Sequence, residues 1–500
     1  MKTYFKNLVI SCLLMTLLLP CPSLLSAADL EQRVKKVVLK NGLTVLILER
    51  HISPTVALYI RHRVGAVDDK LGETGMAHFL EHIMFKGTTT IGTKDYSREK
   101  AVLEKISRLG QAMDRERRRG DKADKKKIAS LQTQLDTQQK KHRNLFTPNE
   151  IDRLYTENGA EHFNATTSQD LTSYFVSLPS NKIELWARIE ADRMVNPVFR
   201  DFYIERHVIM EERRQRVESD PQGKLYEEFL AAAFIAHPYR RPILGWPSDM
   251  DYLSESAMRN FVRKYHAPNN TVITIVGDVK TASALKLINK YFGDIPSQIL
   301  PDPPVTEEPP QVGERKTTVF WDASPQLMIG YHKPSMPHKD DYIFDMIESI
   351  LSRGRSSRLY RSLVQEKGVA ESVDTSNGLP GSRHPNLFAI FAAPRAPHGS
   401  EELERLIYEE IERLKQKPVA PEELEKTRSQ LRADYIRGLE SNEGLAGKLS
   451  YFEVMTGDYR YLTTYLEKLA GITADDIQQA AQEYLVVENR TVATLIPKKP

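Results

Sequence analysis

Two apolar runs, Val37-Val38-Leu39 and Leu43 to Leu48, flank Asn41-Gly42. An Asn-Gly step supplies the positive φ angles of a tight turn, so this pattern predicts a β-hairpin near the start of the chain. Thr55 to Val64 alternates as a further strand, and the segment Gly75 to Thr88 then changes to helical spacing. A second helix is predicted over Phe202 to Glu212. Met258 to Tyr265 reads as helix and Asn270 to Val276 as strand, after which a proline-rich stretch from Pro296 to Pro310 excludes regular structure. The end of the chain repeats this closing pattern, with a helix over Ile477–Tyr484 and a strand over Asn489–Ile496. The predicted fold class is therefore α+β. It consists of two homologous domains, 29–295 and 315–500, each an antiparallel sheet with packed helices, joined by a linker at 296–314.

Two segments lie outside that repeat. Residues 1–28 carry Lys2 and Lys6, an apolar run from Leu8 to Leu19, then Ser26-Ala27-Ala28, which is the order of a cleaved secretory signal. Residues 102–148 are strongly charged, with Arg117-Arg118-Arg119 and Lys125-Lys126-Lys127 around Gly120 and a short apolar stripe at Ile128, Leu131 and Leu135. This segment is expected to be an inserted helical hairpin with a solvated basic tip.

The chemistry concentrates in His78-Phe79-Leu80-Glu81-His82. On a helix, positions 78, 81 and 82 share one face, so two imidazoles and a carboxylate can converge on a single ion. Apolar Phe79, Leu80, Ile83 and Met84 imply that the helix is buried, and buried imidazole and carboxylate groups need a charged partner. A tetrahedral catalytic zinc needs a third protein ligand. Glu205 and Glu212 are seven apart on one helical stripe, with Glu211 turned about 100° away. Glu212 is the expected ligand, and Glu205 is expected to orient a ligand from behind.

Together these residues resemble the pitrilysin or insulinase family of zinc peptidases, most closely its short bacterial members related to the mitochondrial processing peptidases. The likeness is carried by His78 to His82 followed by Phe85-Lys86-Gly87-Thr88, by Asn164-Ala165-Thr166-Thr167 with Asp170, Thr172 and Tyr174, and by Glu205 and Glu212. It implies one zinc per chain held by His78, His82 and Glu212, Glu81 as general base, and Glu205 in support. Asn164 and Ala165 would lie on an edge strand that accepts an extended substrate. The two domains would form half of a clamshell chamber. Family members also carry an Arg and a Tyr in the second copy, and those positions here hold Val364 and Glu371. The expected partner is therefore a homologous chain that keeps the Arg–Tyr pair, with a homodimer as the alternative.

Composition narrows the picture. Removing residues 1–28 takes away two lysines and no acids, so the formal charge falls from +3 to +1, which gives no reason to expect nucleic acid. Both cysteines, Cys12 and Cys21, lie in the leader, so the remaining chain has neither thiol nor disulfide. No second long apolar stretch predicts membrane insertion. The expectation is an exported zinc endopeptidase of a Gram-negative periplasm, acting on peptides or unfolded segments. The alternative is a zinc-containing but catalytically weak binding or scaffold subunit.

Overall fold

The computed structural model describes residues 27–303 and 306–498. Most of the leader, with Cys12 and Cys21, lies outside them; Ala27 and Ala28 open a short helix, Ala27–Arg33. Strands β1 (Lys35–Val38) and β2 (Thr44–Glu49) form the predicted hairpin, pairing antiparallel with Val38 opposite Thr44. Its turn needs glycine: Gly42 has φ +84°, and a Cβ there would stand 2.6 Å from the Asn269 side chain. Asn41 turns inward and donates to the carbonyls of Phe292 and Ile295, at 2.8 and 2.9 Å.

The first sheet adds β3 (Thr55–His62), β4 (Glu161–Thr167), β5 (Thr172–Pro179) and β6 (Thr271–Gly277), in the order β1-β2-β6-β3-β5-β4. The second holds β7 (Arg315–Trp321), β8 (Gln326–Lys333), β9 (Ala370–Leu379), β10 (Asn386–Pro394) and β11 (Arg490–Pro497), in the order β7-β11-β8-β10-β9. With β1 set aside, the two orders match strand for strand, so the duplication is architectural. Both sheets are mostly antiparallel, as expected, and each adds one parallel pair. The last strand of each unit slots between the first two and runs parallel to the first, β6 beside β2 and β11 beside β7. A hairpin-only reading cannot foresee this, because the parallel contact joins strands at opposite ends of each unit.

One face of the first sheet packs Leu58, Ile60, Val176 and Ile275 against Trp186, Ile288 and Phe292 of its own helices. The other face is covered from across the linker, where Leu445, Ala446 and Leu449 of helix Asn442–Thr456 bury against Leu46, Leu48 and Val276. The exchange is reciprocal: Leu225, Phe229 and Leu230 of helix Pro221–Ala233 pack on Met328, Leu387 and Leu495 of the second sheet. Gly330 makes room for this, since a Cβ there would lie 2.5 Å from the Phe229 ring. Each buried Leu or Phe contributes about 1.5–3 kcal/mol. The two sheets are thus held together by core-like packing, and the linker breaks the chain path without breaking the core.

The inserted segment is a hairpin of helices Tyr96–Arg117 and Lys125–Arg143. Its inner stripe of Ile106, Met113 and Leu135 joins the core around Phe79 and Phe202. Glu99 is fully buried and accepts from Arg200 Nε at 2.6 Å and His142 Nε2 at 2.7 Å. The insertion is therefore rooted beside the His78–His82 helix.

Candidate active site

The motif helix runs Met76–Met84 and starts from Gly75, whose φ of +87° is the left-handed region. Asp69 holds this end, accepting from the amides of Gly75 at 2.8 Å and Ala77 at 3.1 Å, where a carboxylate also complements the helix dipole. Phe79, Leu80, Ile83 and Met84 are buried on the core side. His78, Glu81 and His82 border a cavity of about 560 Å³, together with Asn164 to Thr167, Glu212 and Tyr226.

Glu212 comes from helix Phe202–Arg213. Its Oε2 lies 3.5 Å from His82 Nε2 and 3.8 Å from His78 Nε2, and the three donor atoms all stand within 4.8 Å of one another. On the far side of His82, Glu205 Oε2 is 3.4 Å from Nδ1, and Glu205 Oε1 takes Lys86 Nζ at 2.6 Å. Glu211 points to solvent and binds Arg214 and Gln215. The structure thus brings His78, His82, Glu212 and Glu205 together and leaves Glu211 out.

Electrostatics follow from these contacts. Burial and the neighbouring His82 push the His78 imidazolium down to about 4. Burial also disfavours charge on His82, but hydrogen bonds to Glu205 and Glu212 outweigh it and raise His82 to about 9. The hydrogen bond to His82 is the main cause of the lowered Glu212 carboxyl. Glu81 is raised above the usual carboxylate range by burial, although Thr167 Oγ1 donates to its Oε2 at 2.5 Å.

The donor set suits zinc on the geometry itself. Two ligands bound at about 2.0–2.1 Å in a tetrahedron stand about 3.3–3.4 Å apart, close to the 3.5 and 3.8 Å separations here. Two imidazole nitrogens with one carboxylate is also the ligand class of a catalytic site that keeps an open position. Glu205 behind His82 fixes which ring nitrogen faces the site, the usual carboxylate–histidine–metal order.

Among the described residues strand β4 pairs only with β5, at one edge of the sheet. Asn164 is exposed and its Oδ1 accepts from the Ala165 amide at 2.8 Å, while Ala165 itself is buried. Sequence reasoning gave no role to Thr167, the partner of Glu81, or to Arg216, whose Nη1 is 3.0 Å from Glu212 Oε1. It also missed the wall formed by Tyr226 and the loop Arg240 to Leu244. The Arg216 contact was legible as an i,i+4 pair; the others depend on tertiary approach. Val364 packs against the second core and Glu371 is exposed at the start of β9, so neither lines this cavity.

Comparison with known proteins agrees with this arrangement. The family model described as "Insulinase (Peptidase family M16)" matches residues 44–114 and 139–246, the gap falling within the inserted hairpin. A second, described as "Peptidase M16 inactive domain", matches 252–431. The chain belongs to peptidase family M16, whose curated relatives are named zinc proteases. It is 26% identical over 471 residues to the zinc protease PqqE of Helicobacter pylori, covering 93% of each chain. Among solved structures it is similar to a protease from Helicobacter pylori, with TM-score 0.78, 25% identity, and coverage of 93% of this chain and 99% of the other. It also shares the fold of the periplasmic protease PqqL from Escherichia coli, with TM-score 0.69 and 16% identity, where 93% of this chain matches 48% of that one.

Proposed function

We propose that the chain is an exported zinc-dependent endopeptidase and the zinc-bearing subunit of a two-chain chamber. The observation that carries the catalytic reading is Glu81, a carboxylate raised by burial and anchored by Thr167 beside the three converging donors. A purely structural metal site has no use for such a base. When bound by His78, His82 and Glu212, zinc supplies Lewis acidity that polarises a carbonyl and makes a water acidic at neutral pH. Glu81 then accepts the proton of the attacking water and delivers it to the leaving amine. The β4 edge at Asn164 and Ala165 holds an extended substrate through main-chain hydrogen bonds, so unfolded segments of varied sequence are accepted.

Pairing is supported by the second copy, where the positions that hold an Arg and a Tyr in the family resemblance are Val364 and Glu371, neither of which borders the cavity. Val364 cannot donate a hydrogen bond, and a carboxylate such as Glu371 cannot replace the phenol donor of a Tyr. The match to about half of PqqL fits the same reading, because that protein has room for a second unit in one chain. A homologous partner that keeps the Arg–Tyr pair would complete the site. The test is hydrolysis of an unstructured fluorogenic peptide by the purified chain, alone and mixed with a homologous chain that carries the pair, with and without chelator. Chelator-sensitive activity that rises on mixing supports the proposal. Absence of hydrolysis in every mixture would favour a scaffold subunit, and full activity alone would favour a homodimer.

A further inference from the structure

Thr167, which holds Glu81, ends β4, and the chain turns at once. Ser168 Oγ accepts from the amides of Asp170 and Leu171, both at 3.2 Å. Asp170 is buried, and most of its hydrogen bonds come from elsewhere in the fold. Its Oδ1 accepts from Tyr239 Oη at 2.6 Å, and its Oδ2 from the amides of Ser382 at 2.5 Å and Arg383 at 3.1 Å. Ser382 and Arg383 belong to the loop between β9 and β10 of the second domain. Gly381 is what lets that loop approach, since a Cβ there would stand 2.4 Å from Asp170 Oδ2 and 2.7 Å from Tyr239 Oη.

The same loop reaches the other side of the site. Arg383 Nη2 donates to Asp68 Oδ1 at 2.7 Å, and both side chains are nearly inaccessible. Asp68 Oδ2 accepts from the Gly65 amide at 3.0 Å, closing a turn whose Ala66 and Val67 amides bond the carbonyls of Ser168 and Gln169. The next residue is Asp69, which caps the helix that carries Glu81. One loop of the second domain therefore grips both segments that aim Glu81, the turn after Thr167 and the start of the motif helix.

We propose that the Gly381–Arg383 loop positions the catalytic carboxylate, with Arg383 as its anchoring side chain, so that the domain without zinc ligands sets the geometry of the domain that has them. This rests on the peptidase reading above for its kinetic consequence but not for its structural one. Arg383 touches neither substrate nor the reacting atoms; it acts through Asp68. Displacement of a reacting group by about 1 Å costs up to about a hundredfold in rate.

The test compares Arg383→Gln, Arg383→Lys and Gly381→Ala with Arg50→Gln in the zinc-loaded full chain, with its partner chain where activity requires it. Arg50 is the control because it also crosses between the domains, donating to the Glu440 carbonyl and to Asn442, away from this loop. Arg383→Gln and Gly381→Ala are expected to lower kcat at least about tenfold with KM within about twofold, and Arg383→Lys to recover part of the loss. Arg50→Gln is expected to lower the melting temperature and leave kcat unchanged. Amide exchange followed by mass spectrometry gives an activity-independent readout: residues 65–77 and 167–171 should exchange about tenfold faster in Arg383→Gln and not in Arg50→Gln. Unchanged exchange in those two segments overturns the proposal even if kcat falls. An inactive wild type with the exchange pattern intact would instead count against the peptidase reading alone.

Discussion

Glu211 and Glu212 are adjacent carboxylates with different environments, so exchanging each for glutamine is a sharp test of the metal site. Glu212 is largely buried, with its Oε2 3.5 and 3.8 Å from two imidazole nitrogens. Glutamine there keeps the shape but removes the ligand charge and leaves two neutral donors facing an amide. Loss of a supporting residue behind a metal ligand costs about 10–100-fold in affinity, and loss of a direct anionic ligand should cost at least the upper figure. A hundredfold loss corresponds to about 2.7 kcal/mol. Glu211 is half exposed and bonds Arg214 on the outer face of the helix. Glu211→Gln should leave zinc affinity within about twofold of wild type, as no path connects it to the donors. Competition against a chromogenic chelator, with circular dichroism to verify folding, measures both. Retention by Glu212→Gln with loss in Glu211→Gln would refute the assignment of the helix face.

Other outcomes follow from the same geometry. Glu81→Gln should bind zinc normally while hydrolysis falls at least about a hundredfold, read from metal content and turnover on one sample. Glu205→Gln should weaken zinc retention by about 10–100-fold without abolishing it, because His82 loses its orienting carboxylate but not its place. Burial alone would raise the Glu99 carboxyl, but His142 and Arg200 hold it at about 2, below its unfolded value near 4.5. This stabilisation is present above about pH 4.5 and is lost as pH falls towards 2. Glu99→Gln should cost about 3 kcal/mol at neutral pH, the low end for a broken buried pair because Arg200 keeps the carbonyls of Lys86, Thr88 and Ile91. Denaturant unfolding at pH 7 and pH 3 would show whether the gap between the two proteins narrows on acidification. Addition of a homologous Arg–Tyr chain should raise peptidase activity at least about tenfold over the chain alone.

Local signals carried much of this structure. The Asn-Gly turn, the strand runs and the helical spacing of residues 78, 81 and 82 are all short-range, and each has a counterpart in the elements observed. The seven-residue spacing of Glu205 and Glu212 works for the same reason, since one helix sets both side chains. Contacts between segments far apart in the chain were invisible. Thr167 meets Glu81 only because β4 folds against the motif helix, and Asp170 meets Ser382 only because the second domain returns to the first. The parallel β2–β6 and β7–β11 pairings and the exchanged helices at 221–233 and 442–456 belong to the same class.

The second copy shows why the fold position alone does not make a metal site. After β8, as after β3, the chain enters a helix, here Lys339–Ser352, which also carries polar groups, Asp341, Asp345 and Glu348. Each is satisfied within its own domain: Asp341 by Lys333 Nζ at 2.6 Å, Asp345 by Asn377 and Tyr465 at 2.8 Å, and Glu348 by the Asn377 amide at 2.8 Å. Burial and the adjacent Asp341 raise the Asp345 carboxyl to about 7, the behaviour of a group that lacks a cation of its own. The second copy also has a helix packed beside it, Pro421–Arg437, in the place that Phe202–Arg213 holds in the first copy; what the first copy adds is a carboxylate on that helix that faces the imidazoles across a cavity. The scaffold was duplicated, and the chemistry resides in the few side chains that two helices of one copy turn towards each other.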